Sequence, residues 1–128
     1  MHKRTIKTDD APAAIGPYEQ GIGFGDFVFT SGQIALDPKT GEFLEGEIEQ
    51  ETEQVLKNIE AILKADGLSR TDVIKTTVYL ADLGHFGRMN AVYETFFGGH
   101  KPARACVQAA ALPKGAKVEM DVIAAAKK

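Results

Sequence analysis

The chain has 128 residues, with 15 Lys and Arg against 18 Asp and Glu, a net charge of -3 and 44% hydrophobic residues. These values are typical of one soluble globular domain over residues 1–128, and they exclude fibrous and disordered classes. No apolar stretch approaches the roughly 18 residues of a transmembrane helix and no signal region follows Met1, which predicts a cytoplasmic protein. The single cysteine, Cys106, fits a reducing compartment, and the lack of a basic run argues against nucleic acid or an anionic membrane as partner.

The first part of the chain predicts short strands and tight turns. Residues 5–7 predict a short strand. Residues 18–24 and 27–31 predict a hairpin around Gly25-Asp26, because glycine tolerates positive φ and aspartate closes turns. The hairpin also accounts for the three glycines at 21, 23 and 25, which lack the spacing and the following helix of a dinucleotide-binding site.

The most regular helical pattern runs from residue 47 to residue 65. Apolar residues recur there at helical spacing: Ile48, Val55, Leu56, Ile59, Ile62 and Leu63. Acidic residues crowd the start, Lys64 lies near the end and Gly67 follows, as the helix dipole and a glycine C-cap favour. Residues 73–80 are rich in Val, Ile, Thr and Tyr and predict a buried strand.

A second helix is predicted after Asp82, which can cap it, and before Gly98-Gly99. One broad face of this helix carries Phe86, Met89, Asn90, Tyr93, Phe96 and Phe97. Residues 103–110 and 117–124 predict two strands joined across Pro113-Lys114-Gly115. The order of elements predicts an α+β fold with both helices on one face of a sheet, and the uncovered face favours a closed homo-oligomer.

Strand alternation in residues 103–110 separates candidate site residues from residues that we interpret as core. Arg104, Cys106 and Gln108 share one face, and Ala105, Val107 and Ala109 share the core face. An arginine at the start of a strand is as often a solvent-exposed residue without a specific role as a functional residue. The functional interpretation of Arg104 is a bidentate clamp on a ligand carboxylate. Cys106 is more often a buried filler than a nucleophile, since no activating base is evident in the sequence.

Glu119 and Asn90 also allow two interpretations each. Glu119 shares a strand face with Asp121 and Ile123, where a carboxylate is normally solvent-facing or paired. An apolar pocket would instead raise its pKa and let it handle protons. Asn90 is more often a structural hydrogen-bonding residue than a ligand-binding one. The three histidines lack metal-ligand spacing, and no serine lies in the elbow motif of a catalytic triad.

Motifs spread over the whole chain resemble the Rid family, also called YjgF or L-PSP endoribonuclease-like. They are Ala14-Ile15-Gly16-Pro17-Tyr18, Thr30-Ser31-Gly32-Gln33, Lys75-Thr76-Thr77-Val78-Tyr79-Leu80, Met89-Asn90 with Tyr93, Pro102-Ala103-Arg104 with Cys106, and Leu112-Pro113-Lys114-Gly115 leading to Val118-Glu119. The resemblance implies a chorismate-mutase-like fold, a homotrimer with a central β-barrel, and clefts between subunits. It also implies hydrolysis of 2-iminopropanoate and 2-iminobutanoate to 2-keto acids and ammonia. These imines arise from pyridoxal-phosphate-dependent dehydratases, and their removal prevents damage to pyridoxal-phosphate enzymes.

The resemblance also implies roles for particular residues. Arg104 matches the arginine that clamps the substrate carboxylate, and Glu119 matches the acid that positions the hydrolytic water. Other positions match residues that line the cleft: Tyr18, Gly32, Asn90 and Cys106. No metal or other cofactor is expected, because imines hydrolyse readily and positioning with one proton-transfer group can suffice. A simple hairpin of the last two strands would keep Arg104 away from Glu119, so a shared site requires a different strand order or a subunit boundary.

Two other functions stay open. Ribonuclease or translation-inhibitor activity is ascribed to some relatives, but the acidic pI of about 5.6 and the lack of a basic stripe with stacking aromatics argue against it. A noncatalytic module that binds small carboxylates or other proteins would keep Arg104 and show binding without turnover. Only residues 98–101 separate Phe97 from Pro102, a shorter link than in some family members, so the side-chain preference of the cleft stays open.

Overall fold

Six strands and two α-helices follow one another along residues 2–127, the part of the chain that the computed structural model describes. The strands are β1 (Lys3–Ile6), β2 (Gly21–Phe24), β3 (Phe27–Thr30), β4 (Val73–Leu80), β5 (Ala103–Gln108) and β6 (Val118–Ala125). The helices are α1 (Ile48–Ala65) and α2 (Phe86–Phe97). This order confirms the predicted α+β class, with the predicted strands of the first hairpin somewhat shorter than expected.

The six strands form one mixed sheet in the order β1-β2-β3-β6-β4-β5. Among the strands of the described residues only β4 and β5 are parallel, and they are connected through α2 as a crossover unit. The chain then passes through the short turn at Pro113–Gly115 and returns along the other side of β4. The last two strands are therefore not hairpin neighbours, which is the different strand order that the sequence left open.

Both helices cover the same face of the sheet and enclose the core. The predicted apolar stripe of α1 is buried: Ile48, Val55, Leu56, Ile59, Ile62 and Leu63. It packs on alternate residues of β6 that are also buried: Val118, Met120, Val122 and Ala124. The backbone N–H of Glu47 donates to the Gln50 side chain at 2.8 Å, forming part of a capping box, and Gly67 follows α1 with a φ of 78°. The predicted helix and both of its ends are confirmed.

The start of α2 differs from the prediction. The Asp82 carboxylate accepts a hydrogen bond from the backbone N–H of Gly84 at 2.8 Å, and so caps a single 3-10 turn at Leu83–His85. The α-helix begins only at Phe86, after this turn. Gly98 ends α2 with a φ of 63°, as predicted.

Within residues 2–127 the opposite face of the sheet carries no helix, and it leaves large apolar side chains exposed. Phe27 and Phe29 are each 43% exposed and Val107 is 46% exposed, and Ala105 is also exposed. The interpretation of Ala105 and Val107 as core is therefore wrong for the single chain. The reason is that β5 is an edge strand and these residues point to the helix-free face.

Buried polar side chains tie the loops near the sheet to this core. Gln20 Nε2 donates to the carbonyls of Thr8, Ala11 and Pro12, which fixes the loop that leads into β2. The fully buried Glu51 of α1 accepts a hydrogen bond from the backbone N–H of Lys117 at 2.9 Å and lies 3.4 Å from the Lys117 ammonium. Glu51 thereby fixes the start of β6, two residues before Glu119.

Candidate functional site

Arg104 lies at the start of the edge strand β5, with its guanidinium held against α2. Its Nη1 donates to Asn90 Oδ1 at 2.6 Å, and its guanidinium carbon lies 4.7 Å from the ring centre of Tyr93 and 5.3 Å from that of Phe86. Phe86, Asn90 and Tyr93 share one face of α2 because they are four and three residues apart. The Tyr93 hydroxyl is bonded to Thr76 Oγ1 at 2.8 Å, so the ring beneath the guanidinium is itself anchored.

This arrangement leaves most of the Arg104 donors free. Within residues 2–127, the Asn90 contact is the only hydrogen bond that the guanidinium makes. An arginine carries five N–H donors in a planar fork that matches a carboxylate. The guanidinium borders a cavity of about 380 Å³ whose other walls include Tyr93, Phe97 and Pro102. Arg104 can therefore bind a small carboxylate while Asn90 holds its orientation.

Cys106 lies two residues after Arg104 on the same strand and is half-buried against the core. Burial raises the pKa of the Cys106 thiol, and the positive charge of Arg104 opposes this rise to a smaller extent. Within residues 2–127 the thiol makes no hydrogen bond to a base. A thiol in these surroundings is not activated as a nucleophile.

Glu119 lies in β6 and borders a second cavity of about 420 Å³. The cavity is lined by Tyr18 and Ile15 from the loop before β2, by Gly32 and by Pro113. A side chain at position 32 would overlap the Glu119 carboxylate, since a Cβ there would lie 3.1 Å from Glu119 Cδ and nearer still to Oε2. The glycine therefore makes the room that the carboxylate occupies.

The environment of Glu119 raises the pKa of its carboxyl group. Burial is the main cause that raises the pKa of Glu119, and the negative charge of Asp121 on the same strand raises it further. A raised pKa is the direction that a carboxyl group needs to act as a general acid or base. The direction agrees with the proton-handling interpretation from the sequence, and the role of Glu119 stays a prediction.

The six site residues expected from the sequence form two groups in the chain. Arg104, Asn90 and Cys106 lie together on the helix side of β5, and Tyr18, Gly32 and Glu119 lie together around the second cavity. Arg104 pairs with Thr76, whose buried side chain faces the helices. Glu119 pairs with Tyr79, whose side chain points to the helix-free face. Within residues 2–127 of one chain, the two groups therefore lie on opposite faces of the sheet.

Sequence reasoning missed two residues that shape the site. Phe86 was expected only as part of an apolar helix face, and Tyr93 as part of that face and of a family motif without a role, but their rings support the Arg104 guanidinium. The signal in the sequence was their spacing of four and three residues from Asn90, which places all three side chains on one face of α2.

No group of three or more His, Cys, Asp or Glu residues suited to a metal ion occurs in the described part of the chain. Among the helices described, none is both long and apolar enough to cross a membrane.

Comparison with known proteins shows the same family along nearly the whole chain. Residues 8–126 match the family described as Endoribonuclease L-PSP. The chain is 52% identical over 122 residues to a RutC family protein of Pyrococcus horikoshii, which covers 95% of this chain and 97% of that protein. It is 50% identical over 124 residues to the 2-iminobutanoate/2-iminopropanoate deaminase of Salmonella typhimurium, covering 94% of this chain and 96% of that enzyme.

Solved structures agree with the sequence comparison. The crystal structure of E. coli TdcF with bound serine superimposes with a TM-score of 0.92 at 46% identity, over 97% of this chain and 99% of that chain. The crystal structure of the E. coli YjgF gene product gives a TM-score of 0.92 at 46% identity, again over 97% and 99% of the two chains. The motifs, the fold and these relatives agree, and the chain belongs to the L-PSP endoribonuclease family, which is the Rid or YjgF family.

Proposed function

We propose that the protein hydrolyses small 2-imino acids, with 2-iminopropanoate and 2-iminobutanoate as substrates, to 2-keto acids and ammonia. The observation that carries this proposal is the Arg104 guanidinium, which Asn90 and two aromatic rings hold in place while most of its N–H donors stay free. Relatives named as deaminases of these imines support it, at 50% identity in Salmonella typhimurium and 48% in Rattus norvegicus. Such an enzyme prevents reactive imines from damaging pyridoxal-phosphate enzymes.

The proposed site is completed across a subunit boundary in a homotrimer. Arg104 and Glu119 belong to opposite faces of one sheet, so a second chain must supply one of them. The exposed Phe27, Phe29 and Val107 on the helix-free face support burial of that face against another subunit. In the proposed trimer these faces meet in a central barrel, and each cleft combines the Arg104 group of one chain with the Glu119 group of its neighbour.

The proposed reaction needs only these groups and water. Arg104 binds the substrate carboxylate and thereby fixes the adjacent imine carbon. Water oriented by Glu119 adds to that carbon, its oxygen forming the new C–O bond while the imine nitrogen gains a proton. Collapse of the resulting carbinolamine breaks the C–N bond, releases ammonia and leaves the 2-keto acid. Imine hydrolysis has a modest barrier in water, so positioning and one proton-transfer group suffice and no cofactor is proposed.

The decisive experiment generates 2-iminopropanoate in situ and measures its loss in competition with semicarbazide. Wild-type protein should accelerate that loss, and Arg104→Ala should not. The matched control is Arg88→Ala, because Arg88 is an exposed arginine of α2 that pairs with Glu49 instead of facing a cavity. No acceleration by wild-type protein, or equal acceleration by Arg104→Ala, would contradict the proposal.

Ribonuclease activity is the second candidate, because the matched family carries the description Endoribonuclease L-PSP. The net charge of -3 does not favour RNA binding, since phosphate contacts dominate nucleic-acid affinity. Incubation of the purified protein with labelled single-stranded RNA tests this candidate directly. Cleavage that scales with the protein through purification, without imine hydrolysis, would favour it. Saturable binding of a 2-keto acid with no turnover of either substrate would instead indicate a noncatalytic binding module.

A further inference from the structure

Gln108 shares a face of β5 with Arg104 and Cys106, and the proposed reaction gives it no role. It comes four residues after Arg104, which places the two backbones roughly 13 Å apart at the rise of an extended strand. A substrate as small as 2-iminopropanoate cannot span that distance. Any effect of Gln108 on the Arg104 group must therefore pass through the parts of the chain that Gln108 contacts.

Gln108 contacts the turn that precedes α2. Its Oε1 accepts a hydrogen bond from the backbone N–H of Leu83 at 2.9 Å. The carbonyl of the same Leu83 accepts a hydrogen bond from the backbone N–H of Phe86, the first residue of α2. Two consecutive hydrogen bonds therefore connect the Gln108 side chain to the backbone of Phe86.

Few other interactions fix this turn at residues 83–85. Most of the turn is exposed, and Leu83 is 46% exposed. Its other hydrogen bonds to preceding residues run to Asp82, which is the next residue along the chain. His85, the N-cap residue of α2, makes no capping hydrogen bond with its side chain. Within residues 2–127, the Gln108 bond is the only hydrogen bond that joins the turn to a strand.

The position of Phe86 matters because its ring is one of the two that hold the Arg104 guanidinium. The guanidinium carbon lies 5.3 Å from the Phe86 ring centre and 4.7 Å from the Tyr93 ring centre. Tyr93 is only 8% exposed and its hydroxyl is bonded to Thr76, whereas Phe86 is 37% exposed. The Phe86 ring has less packing around it, so its place depends more on its backbone and hence on the turn before α2.

We propose that Gln108 is a positioning residue that holds the Phe86 ring against the Arg104 guanidinium by fixing the turn at residues 83–85. The guanidinium then presents its free N–H donors to the substrate carboxylate in one orientation, which lowers the cost of ordering it on binding. Gln108 does not touch the substrate. Its effect on substrate binding rests on the proposed function of the site, whereas its effect on Phe86 and Arg104 does not.

Proton NMR of the Arg104 side chain tests the positioning without relying on activity. An aromatic ring shifts the resonance of a proton held near it, and loss of one Nε–H signal in Arg104→Lys assigns that resonance. Phe86→Leu gives the position of the signal without the Phe86 ring. In Gln108→Leu, which removes the acceptor at similar size, the signal should move toward that position. In Gln108→Glu, which keeps an acceptor oxygen, the signal should stay close to its wild-type position.

The donor of the hydrogen bond gives an independent test. Leu83→Pro removes the N–H, and proline is compatible with the first position of the turn because the preceding Asp82 has an extended backbone with φ of -147° and ψ of 115°. The Arg104 signal should move as it does in Gln108→Leu. The double variant should move it no further, because both changes remove the same bond. Leu83→Ala, which keeps the N–H, should leave the signal in place.

Binding of pyruvate, the product of 2-iminopropanoate hydrolysis, and the kinetics of that reaction give the functional readout. Gln108→Leu should raise the Kd for pyruvate and the KM for the imine by roughly 2- to 10-fold, the usual effect of one hydrogen bond, with kcat nearly unchanged. A purely structural role would lower the melting temperature and leave KM in place. The matched control is Arg88→Ala, which removes an exposed ion pair between α2 and α1 and should change neither value.

An unmoved Arg104 signal in folded Gln108→Leu protein would overturn the inference, and so would equal shifts in Gln108→Leu and Gln108→Glu. If Gln108→Leu does not fold, the comparison of Leu83→Pro with Leu83→Ala decides between the same outcomes. A moved signal with unchanged Kd and KM would refute the effect on substrate binding. Wild-type protein without imine hydrolysis would refute the proposed function, while the NMR shifts would still report whether Gln108 positions the Phe86 ring.

Discussion

Replacement of Gly32 by alanine tests whether the position of the Glu119 carboxylate controls the reaction. The new Cβ would lie 3.1 Å from Glu119 Cδ and 3.4 Å from Cγ, and it would overlap Oε2. The carboxylate must therefore move by an amount of the order of 1 Å, and a misplacement of that size costs about 10²-fold in rate. Gly32 does not have the positive φ that would strain an alanine, so the fold should keep its stability.

The assay for Gly32→Ala is turnover of 2-iminopropanoate, measured with thermal unfolding and with binding of pyruvate to the same preparation. Turnover should fall by roughly 10²-fold while the melting temperature and pyruvate binding change little. Gly87→Ala is the matched control, because a Cβ at this exposed glycine of α2 meets no atom within 4 Å. It should leave turnover unchanged.

The double variant Gly32→Ala with Glu119→Gln makes the test specific. If the alanine acts only by displacing the Glu119 carboxylate, the double variant should be no slower than Glu119→Gln alone, because the two changes remove the same interaction. Wild-type turnover in Gly32→Ala would refute the reasoning. Additive losses in the double variant would also refute it, since they would mean that Gly32 acts independently of Glu119.

Three substitutions and one measurement of the assembly test other parts of the structure. Arg104→Lys should raise the KM for the imine by roughly 10- to 10²-fold, because an ammonium cannot form two parallel hydrogen bonds, and an unchanged KM would contradict the clamp. Cys106→Ser should keep most of the turnover, whereas a substrate adduct on Cys106 in intact mass spectrometry would show covalent catalysis. Glu51→Gln should lower the free energy of unfolding in urea by about 1–3 kcal/mol, because the fully buried carboxylate binds the Lys117 backbone, and wild-type stability would contradict this. Sedimentation equilibrium should give a trimer, and a stable monomer or dimer at micromolar concentration would exclude the proposed assembly.

Local patterns were sufficient to predict most of the secondary structure. Residues 48–65 form the predicted helix because their apolar residues recur at helical spacing and both ends carry suitable caps. The strand at Val73–Leu80 has the predicted bounds because β-branched residues fill it. These features depend on residues that are close together in the sequence. They can therefore be predicted from the sequence itself.

The arrangement of the strands was not predictable from local patterns. Insertion of β4 between β5 and β6 depends on the crossover through α2, and this pairing decides which residues face the helices. Val107 was interpreted as core from its apolar character, but it lies on the face that has no helix in the chain. The bond between Thr76 and Tyr93, which anchors the ring under Arg104, likewise depends on long-range packing.

The placement of Arg104 and Glu119 on opposite faces of one sheet has a genetic consequence under the proposed assembly. A chain that lacks Arg104 still carries an intact Glu119 group, and a chain that lacks Glu119 still carries an intact Arg104 group. Two inactive alleles expressed together would form mixed trimers in which roughly one quarter of the clefts combine the two intact groups, if the chains associate at random in equal amounts. Partial activity would return without any chain being repaired, and a dominant negative effect of either allele on wild-type trimers would be incomplete.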